Sequence, residues 1–340
     1  MPLITFTPKG LYCAQGDFYI DPWQPVQRAV ITHAHSDHAR WGMGAYLAHN
    51  DSLPVLRLRL GDDIKVTGVE YAQRKRMNGV TVSLHPAGHV IGSAQVRVSY
   101  KGETWVISGD YKTQADRSCT PFEPVKCHHF ITESTFGLPV YRWEEDAVLF
   151  DRMDRWWAAN AAAGKTSVIY AYSFGKAQRV LQSVNPDIGR IFTHGAVENT
   201  NEVLREHGIA LQATTRVDDS VRKKEYAGGL VIAPPGAQAS SWMKRFGPVE
   251  DAFASGWMKL RGTRRRRNLG HGFAVSDHAD WPGLNQAIAE TGAENIYVTH
   301  GYTAIFSKWL KEQGYNASVV KTEFSDDGAA DPEVAQSALE

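Results

Sequence analysis

Short apolar runs separated by turn residues characterise the chain up to about residue 135. Residues 80–84, 94–98 and 105–107 are rich in β-branched and aromatic side chains, and each run is bounded by glycine, proline or polar positions. Residues 96–100 lead into Lys-Gly-Glu at 101–103, a sequence typical of a β-hairpin. This part of the chain therefore predicts mainly short β-strands.

The periodicity of apolar positions changes after this region. An apolar stripe follows a group of acidic residues and ends before Gly164, which predicts a helix over residues 143–163. Strand-like and helix-like segments then alternate, and near the end helices are expected at 282–291 and 305–314 around a strand at 296–298. This alternation predicts an α/β protein.

Composition is that of an ordinary globular protein, but the charge is unevenly distributed. Hydrophobic residues make up 43% and charged residues 22%, and the formal net charge is zero. Residues 216–267 nevertheless hold twelve Lys or Arg against five acids. This basic window ends in Arg264, Arg265, Arg266 and Arg267, a run that indicates either a solvated charge block or a surface for a polyanion.

Cysteine usage and hydropathy bear on location. The three cysteines form no CxxC pair, which is typical of a reducing compartment. The first residues lack the basic and apolar regions of a signal peptide, and no run approaches the roughly 20 apolar residues that span a bilayer. We therefore expect a cytoplasmic protein that does not associate with a membrane.

Four candidate metal ligands occur within six residues, directly after the apolar residues 29–31. They are His33, His35, Asp37 and His38. If the strand continues through His35, then His33 and His35 face the same side, because side chains alternate along a strand. The chain must then leave the strand near Ser36 for the last two ligands to turn into the same pocket. Imidazole and carboxylate donors in this number suit zinc or manganese.

Three further candidates follow predicted strands. His89 lies between glycines, Asp110 follows the strand at 105–107, and His300 follows the strand at 296–298. Each alone is typical of a polar residue in a loop. Together with the cluster they indicate one metal site at the strand ends.

These residues resemble the motifs of the metallo-β-lactamase superfamily, which are HxHxDH, a later His, a later Asp and a last His. Residues 132–137 resemble motif A of its β-CASP nuclease branch, 276–280 motif B and 299–301 motif C. Residues 173–178 look like the segment that opens the β-CASP insert. The resemblance extends from about residue 21 to 301, and is greatest to the bacterial ligase-associated DNA exonucleases.

The resemblance implies a fold and a division into domains. It implies an α/β protein in which residues 1–138 and 268–325 form a metallo-β-lactamase αββα sandwich. A β-CASP α/β domain is inserted at 139–267, and residues 326–340 form an acidic tail.

The resemblance also implies two divalent metal ions, zinc in the first place and manganese as the alternative. One ion would take His33, His35, His89 and Asp110, and the other Asp37, His38, Asp110 and His300, with Asp110 bridging. Asp21, which matches the family's first acidic motif, would support the ligand loop from behind the ligands.

The implied chemistry is phosphodiester hydrolysis by a hydroxide that two metals activate. Asp37 would orient the hydroxide, and His278 would give a proton to the departing 3′ oxygen. Glu133 would bind His278, fix its tautomer and favour its protonated form. The alternative for Glu133 and His278 is a structural hydrogen-bonded pair between the domains.

We therefore predict a metal-dependent DNA exonuclease of DNA repair that works with a DNA ligase and a helicase. The alternative is an RNA-processing nuclease, because DNA cross-link-repair members of the branch usually carry valine where this chain has His300.

A small-molecule thioester or lactam hydrolase would need neither the insert, nor Glu133, nor the basic window. A non-catalytic binding module would have lost ligands. Nucleotide binding by Gly-Lys-Thr at 164–166 is rejected, since position 159 lacks the glycine of a Walker A loop.

Overall fold

A computed structural model describes residues 2–260 and 271–320. These residues form two compact units, one of residues 2–142 and 278–320 and the other of residues 143–260 and 271–277. The mixture of sheets and helices confirms the α/β class.

Two sheets build the first unit. One has six strands in chain order: β1 Thr5–Thr7, β2 Gly10–Cys13, β3 Phe18–Ile20, β4 Ala29–Val30, β5 Tyr46–His49 and β6 Val66–Val69. The strands of the other sheet are β7 Lys75–Met77, β8 Val80–Pro86, β9 Ala94–Tyr100, β10 Glu103–Ile107, β11 His129–Ser134, β18 Asn295–Gly301 and β19 Asn316–Val319. Its spatial order is β19-β18-β11-β10-β9-β8-β7. The expected hairpin is confirmed, because β9 and β10 pair antiparallel across Tyr100 and Glu103.

The core of the first unit has two parts. One buried cluster joins apolar side chains of both sheets, such as Phe18 and Val30 from the first and Val96 and Trp105 from the second. Another covers the opposite face of the second sheet with helices α5 (Trp281–Thr291) and α6 (Thr303–Glu312). A shorter helix, α1, spans Leu53–Leu60. The two sheets therefore share one apolar layer, and the helices add a second.

The start of α5 shows how local sequence sets a boundary near the site. The carboxylate of Asp280 accepts a hydrogen bond from the backbone N–H of Gly283 over 3.0 Å, and Pro282 occupies the first turn. An aspartate cap followed by proline is a strong helix start. Gly292 ends the helix in the left-handed conformation, with φ of 66°.

The second unit has a six-stranded, wholly parallel sheet. Its strands are β12 Thr166–Tyr170, β13 Ile191–Thr193, β14 Thr215–Arg216, β15 Leu230–Ala233, β16 Val249–Ala254 and β17 His271–Phe273, in spatial order β14-β13-β15-β12-β16-β17. The helices are α2 Asp146–Ala162, α3 Lys176–Ser183 and α4 Gly195–Glu206. Apolar clusters cover both faces of the sheet, as expected for parallel strands.

The units divide at 142/143 and 277/278, whereas the sequence places the insert at 139–267. The second boundary differs because β17 pairs in parallel with β16 and so belongs to the second sheet system. Within the described ranges, no helix is both long and apolar enough to cross a membrane.

Candidate metal centre

The loop with the histidine cluster begins where β4 ends. The prediction that the strand continues through His35 is wrong, because the strand ends at Val30. The backbone N–H and the hydroxyl of Thr32 donate hydrogen bonds to the two carboxylate oxygens of Asp21, over 2.8 and 2.6 Å. These bonds turn the backbone away from the sheet, so the whole cluster projects from a loop.

Four side chains bring a first set of donor atoms together. They are His33, His35, His89 and Asp110, and each offers one nitrogen or oxygen within 4.8 Å of the others. The Nε2 atom of His89 lies 3.1 Å from Nδ1 of His35 and 3.8 Å from Oδ2 of Asp110. Two nitrogens held at about 2.0–2.1 Å by one tetrahedral zinc ion would lie about 3.3 Å apart. The spacing of this donor set therefore suits one shared cation.

A second set of donors includes Asp110 as well. The Nε2 atom of His38 lies 3.5 Å from Oδ2 of Asp110 and 3.6 Å from Oδ2 of Asp37. His300 offers a nitrogen within 4.8 Å of the donors of His38 and Asp110. The carboxylate of Asp110 therefore lies between the two sets.

Asp110 follows β10 through a turn that requires glycine. Gly109 has φ of 57°, and a Cβ atom there would lie 2.6 Å from the Cβ atom of Thr32. The glycine lets the end of β10 approach the ligand loop closely, which brings Asp110 against the histidines.

His300 reaches the site through an irregularity in strand pairing. β11 and β18 pair in regular register up to Thr299, but the next pair joins Ser134 to Gly301. His300 is the extra residue, has φ of 50°, and its ring centroid lies 5.4 Å from that of His38. A bulge of this kind redirects a side chain out of the sheet. The sequence shows His300 after a strand, but it gives no sign of the bulge.

Asp21 supports His38 from the side opposite Asp110. Its Oδ2 atom lies 2.7 Å from Nδ1 of His38, which leaves Nε2 of that ring directed at Asp110. The hydroxyl of Thr32, bonded to the same carboxylate oxygen, lies 3.1 Å from Nδ1 of His33. Sequence reasoning identified Asp21 but missed Thr32, whose only signal is its position directly before His33.

Several donor atoms at the centre have no hydrogen-bond partner among the described residues although they are buried. They are Nε2 of His33, Oδ1 of Asp37 and Nε2 of His38. A buried polar atom without a partner costs about 1–3 kcal/mol, and a cation would satisfy all three. Nitrogen and oxygen donors of this kind suit zinc or manganese. The residues present therefore fit a divalent metal ion.

The electrostatics of the centre are dominated by burial and by Asp110. Burial lowers the pKa of His300 and holds that of His33 well below its usual range, which favours the neutral form of both rings. Burial alone would raise the pKa of Asp110, but the charge and hydrogen bond of His38 together with the charges of His278 and His33 outweigh it and hold that pKa well below normal. Burial would likewise lower the pKa of His38, yet Asp110 and Asp37 raise it well above normal. A cation that binds His38 must therefore displace its proton.

Glu133 and His278 meet beside these donors. The Nδ1 atom of His278 lies 2.9 Å from Oε2 and 3.0 Å from Oε1 of Glu133, whose side chain is 1% exposed. The backbone N–H of Tyr111 donates a further hydrogen bond to Oε1 over 2.8 Å. The ring of His278 also lies 4.7 Å from that of His89, between centroids. Glu133, held from two sides, therefore fixes His278 beside the first donor set.

The segment at 173–178 and the start of motif B meet in the second unit. Lys176 of the segment at 173–178 forms a buried ion pair with Asp277 of motif B, with Nζ 2.7 Å from Oδ1. The arginine run falls outside the described residues, namely Arg264, Arg265, Arg266 and Arg267. Its role in substrate binding stays a prediction.

No family model matches the chain, but several curated proteins do. Over 320 residues, 93% of this chain, it is 28% identical to a probable DNA ligase of Opitutus terrae, of which it covers 31%. It is 27% identical over 210 residues to cleavage and polyadenylation specificity factor 73 of Drosophila melanogaster, over 58% of this chain and 30% of the factor. Identity to endoribonuclease YSH1 of Saccharomyces cerevisiae is 24% over 167 residues, 38% of this chain and 21% of that protein. The chain spans about a third or less of these relatives.

The fold is also found in a solved structure. A protein of unknown function from Enterococcus faecalis V583 superposes with a TM-score of 0.61, over 89% of this chain and 80% of that one, at 12% identity. This likeness shows the fold alone. The site is built from metal-ligand motifs on an α/β fold. Together with the curated relatives, these motifs relate the chain to the β-CASP nucleases of the metallo-β-lactamase superfamily, as the sequence predicts.

Proposed function

We propose that the chain is a metal-dependent nuclease that hydrolyses phosphodiester bonds of DNA, as an exonuclease in DNA repair. The observation that carries the proposal is that two donor sets share the carboxylate of Asp110. One carboxylate between two sets suits a pair of cations, and such pairs serve in-line displacement at phosphorus. The relative named endoribonuclease YSH1 supports the nuclease class.

The proposed ions are zinc, with manganese as the alternative. One would be held by His33, His35, His89 and Asp110, and the other by Asp37, His38, Asp110 and His300. When bound, such ions lower the pKa of water to about 7 and offset the charge that develops on phosphate oxygens. Three of these ligands are shielded from bulk water, because His33, His38 and His89 are at most 4% exposed.

The chain's own residues would position water and move one proton. Asp37 supports the first role, because its Oδ1 atom is buried without a partner among the described residues and can accept a hydrogen bond from the attacking water. His278 supports the second, because Glu133 binds its Nδ1 and stabilises the ring when it carries two protons. The doubly protonated ring would give a proton to the departing 3′ oxygen.

Three observations bear on whether the substrate is DNA or RNA. Support for DNA comes from the relative named a probable DNA ligase, because its similarity covers 93% of this chain. Support for the alternative, an RNA-processing nuclease of the same fold, comes from His300 and from the relatives named a polyadenylation factor and an endoribonuclease. The chain covers 31% of the ligase-named protein, which leaves room there for further domains. That is why we propose a DNA ligase and a helicase as partners.

The same proposal includes the architecture and the location. The shared apolar layer of the two sheets and the helices on the second sheet support a metallo-β-lactamase αββα sandwich in the first unit. The parallel sheet of the second unit supports a β-CASP insert, and the acidic residues 326–340 lie outside the described ranges. The three cysteines form no CxxC pair, which supports a reducing compartment such as the cytoplasm.

One experiment separates the candidates. The protein is incubated with end-labelled DNA and matched RNA, each single- and double-stranded, with zinc, manganese or magnesium. Release of mononucleotides from DNA alone is the expected result. Cleavage of RNA alone would replace the proposal with the alternative, and no cleavage of either under any ion would contradict the nuclease function.

A further inference from the structure

The second unit contains a pocket that is separate from the metal centre. Its volume is about 690 Å³, within the range of about 300–1,000 Å³ typical of ligand sites. It lies between α2, the turn Gly256–Lys259 and β17, which is the last strand of its sheet. The side chains that matter are Glu144, Arg152, Trp156, Lys259, His271 and Phe273.

Aromatic rings form one wall of this pocket. The ring centroid of Trp156 lies 5.7 Å from that of Phe273 and 6.0 Å from that of His271. Phe273 is buried in the core of the unit, so it holds Trp156 in place. The wall therefore offers a flat aromatic ring held in a fixed position.

Cationic side chains form the rim. Arg152 is one turn from Trp156 on α2, its side chain is 48% exposed, and its Cζ atom lies 6.0 Å from the centroid of Phe273. Lys259 is exposed on the same rim. Against these stands Glu144, whose Oε2 atom lies 2.9 Å from Nη1 of Arg152. The rim thus has two cations, one of which is partly neutralised by a carboxylate.

We propose that this pocket binds one nucleotide of a single-stranded nucleic acid. The base stacks on Trp156, while Arg152 and Lys259 contact the phosphate. An apolar ligand would remove both cations from water and gain no partner for either of them. The inference rests on the proposed function in that the nucleotide belongs to the strand that the nuclease cleaves.

The test measures binding without cleavage. Anisotropy of fluorescein-labelled dT12 and rU12 is recorded with the full chain in excess chelator. The chelator prevents cleavage, so the binding result does not depend on whether the chain is a nuclease. Arg152→Gln and Lys259→Ala should each weaken binding about threefold to tenfold, because each removes a phosphate contact. The matched controls Arg155→Gln and Lys224→Ala, exposed residues outside the pocket, should change it less than about twofold.

Two further variants test the geometry of the pocket. Glu144→Gln should strengthen binding several-fold, since it removes a negative charge and releases Arg152, whereas Glu145→Gln next to it should have no effect. Trp156→Leu should weaken binding of dT12 about tenfold but leave binding of an abasic 12-mer unchanged, because the abasic strand has no base to stack. Trp156→Phe keeps an aromatic ring, so it should again bind dT12 more tightly than the abasic 12-mer.

The outcomes separate the proposals. Equal effects of the pocket and control variants, or weakening by Glu144→Gln, would overturn the pocket even if Trp156→Leu fails to fold. If the unmodified chain cleaves no substrate and the pocket variants still lose binding, the pocket is upheld and the nuclease function is contradicted. Effects on dT12 but not rU12 identify DNA as the source of the nucleotide, and the reverse identifies RNA.

Discussion

The imidazole of His278 and the carboxylate of Glu133 form a buried pair, with Nδ1 of the ring 2.9 Å from Oε2. The two residues are 145 positions apart in sequence. Glu133 belongs to β11, and His278 comes just before Asp280, the cap of α5. Two regular elements therefore hold the pair beside Asp110, and a buried carboxylate in this place stabilises a proton on the ring.

We predict that His278→Ala lowers turnover about 10²–10⁴-fold while bound metal is unchanged, because the ring supplies a proton and not a ligand. Turnover of end-labelled DNA and metal content by mass spectrometry are measured on the same preparation. Glu133→Gln should give a smaller loss, since an amide holds Nδ1 of the ring less firmly and no longer fixes its tautomer.

The control for this prediction is His207→Ala, an exposed histidine of the second unit. It should leave both turnover and metal content as in the unmodified chain. Loss of metal in His278→Ala that matches its loss of turnover would show a ligand instead of a proton donor.

Asp110 lies between the two donor sets, so its loss should affect both. We predict that Asp110→Asn lowers bound metal from about two equivalents to well below one, whereas His89→Ala loses about one. Metal content after dialysis against buffer is the measurement, with Asp63→Asn, an exposed acid, as the control. Equal metal loss in the Asp110 and His89 variants would contradict a shared carboxylate.

Much of the fold follows from apolar periodicity. The helix predicted over 143–163 is found at Asp146–Ala162, and the strand predicted at 296–298 lies within Asn295–Gly301. The ligand loop is different, because apolar residues continue to Ile31 but the strand ends at Val30. Periodicity reports burial: Ile31 is buried, and its N–H still donates to the carbonyl oxygen of Leu47 in β5, but the assigned strand stops one residue earlier. The hydrogen bonds of Thr32 to Asp21 that end the strand are not visible in the pattern.

Residue types and their spacing predicted which side chains form the candidate site. The positions of these side chains depend on tertiary packing and could not be predicted from the sequence. His89, Asp110 and His300 follow strands in the sequence, and the structure brings them to one centre. The bulge that turns His300 depends on pairing between strands far apart in the chain. The pocket at Trp156 depends on packing against Phe273, which no local pattern encodes.

The contact between Asp21 and His38 gives a prediction about metal affinity. Asp21→Asn should weaken metal binding about 10–100-fold, because the carboxylate orients the ring and raises its basicity. Competition with a chelator measures this affinity, and turnover at saturating metal should fall much less. Asp17→Asn is the control, since Asp17 is an exposed acid that pairs with Arg28. An unchanged affinity in Asp21→Asn would remove Asp21 from the support of the site.

Glu198 organises a buried network in the second unit, away from any proposed ligand. Its carboxylate accepts hydrogen bonds from the hydroxyls of Thr193 and Thr214 and pairs with Arg205 at 2.8 Å. Burial alone would raise the pKa of Glu198, but these three donors outweigh it and lower the pKa below its ordinary value of 4.5. The folded state therefore holds the ionised form more strongly than the unfolded state does.

The sign of the pH effect follows from this lowered pKa. Stabilisation by Glu198 is complete above pH 4.5, the ordinary value, and is lost as pH falls through the lower folded pKa. We predict that Glu198→Gln lowers the free energy of unfolding by about 1–3 kcal/mol at pH 7. Its stability should also fall less steeply than that of the unmodified chain below pH 4.5. Urea unfolding followed by tryptophan fluorescence at pH 7, 5, 4 and 3 tests this, with exposed Glu206→Gln as the control. Parallel curves for the Glu198 variant and the unmodified chain would mean that the carboxylate titrates alike when folded and unfolded.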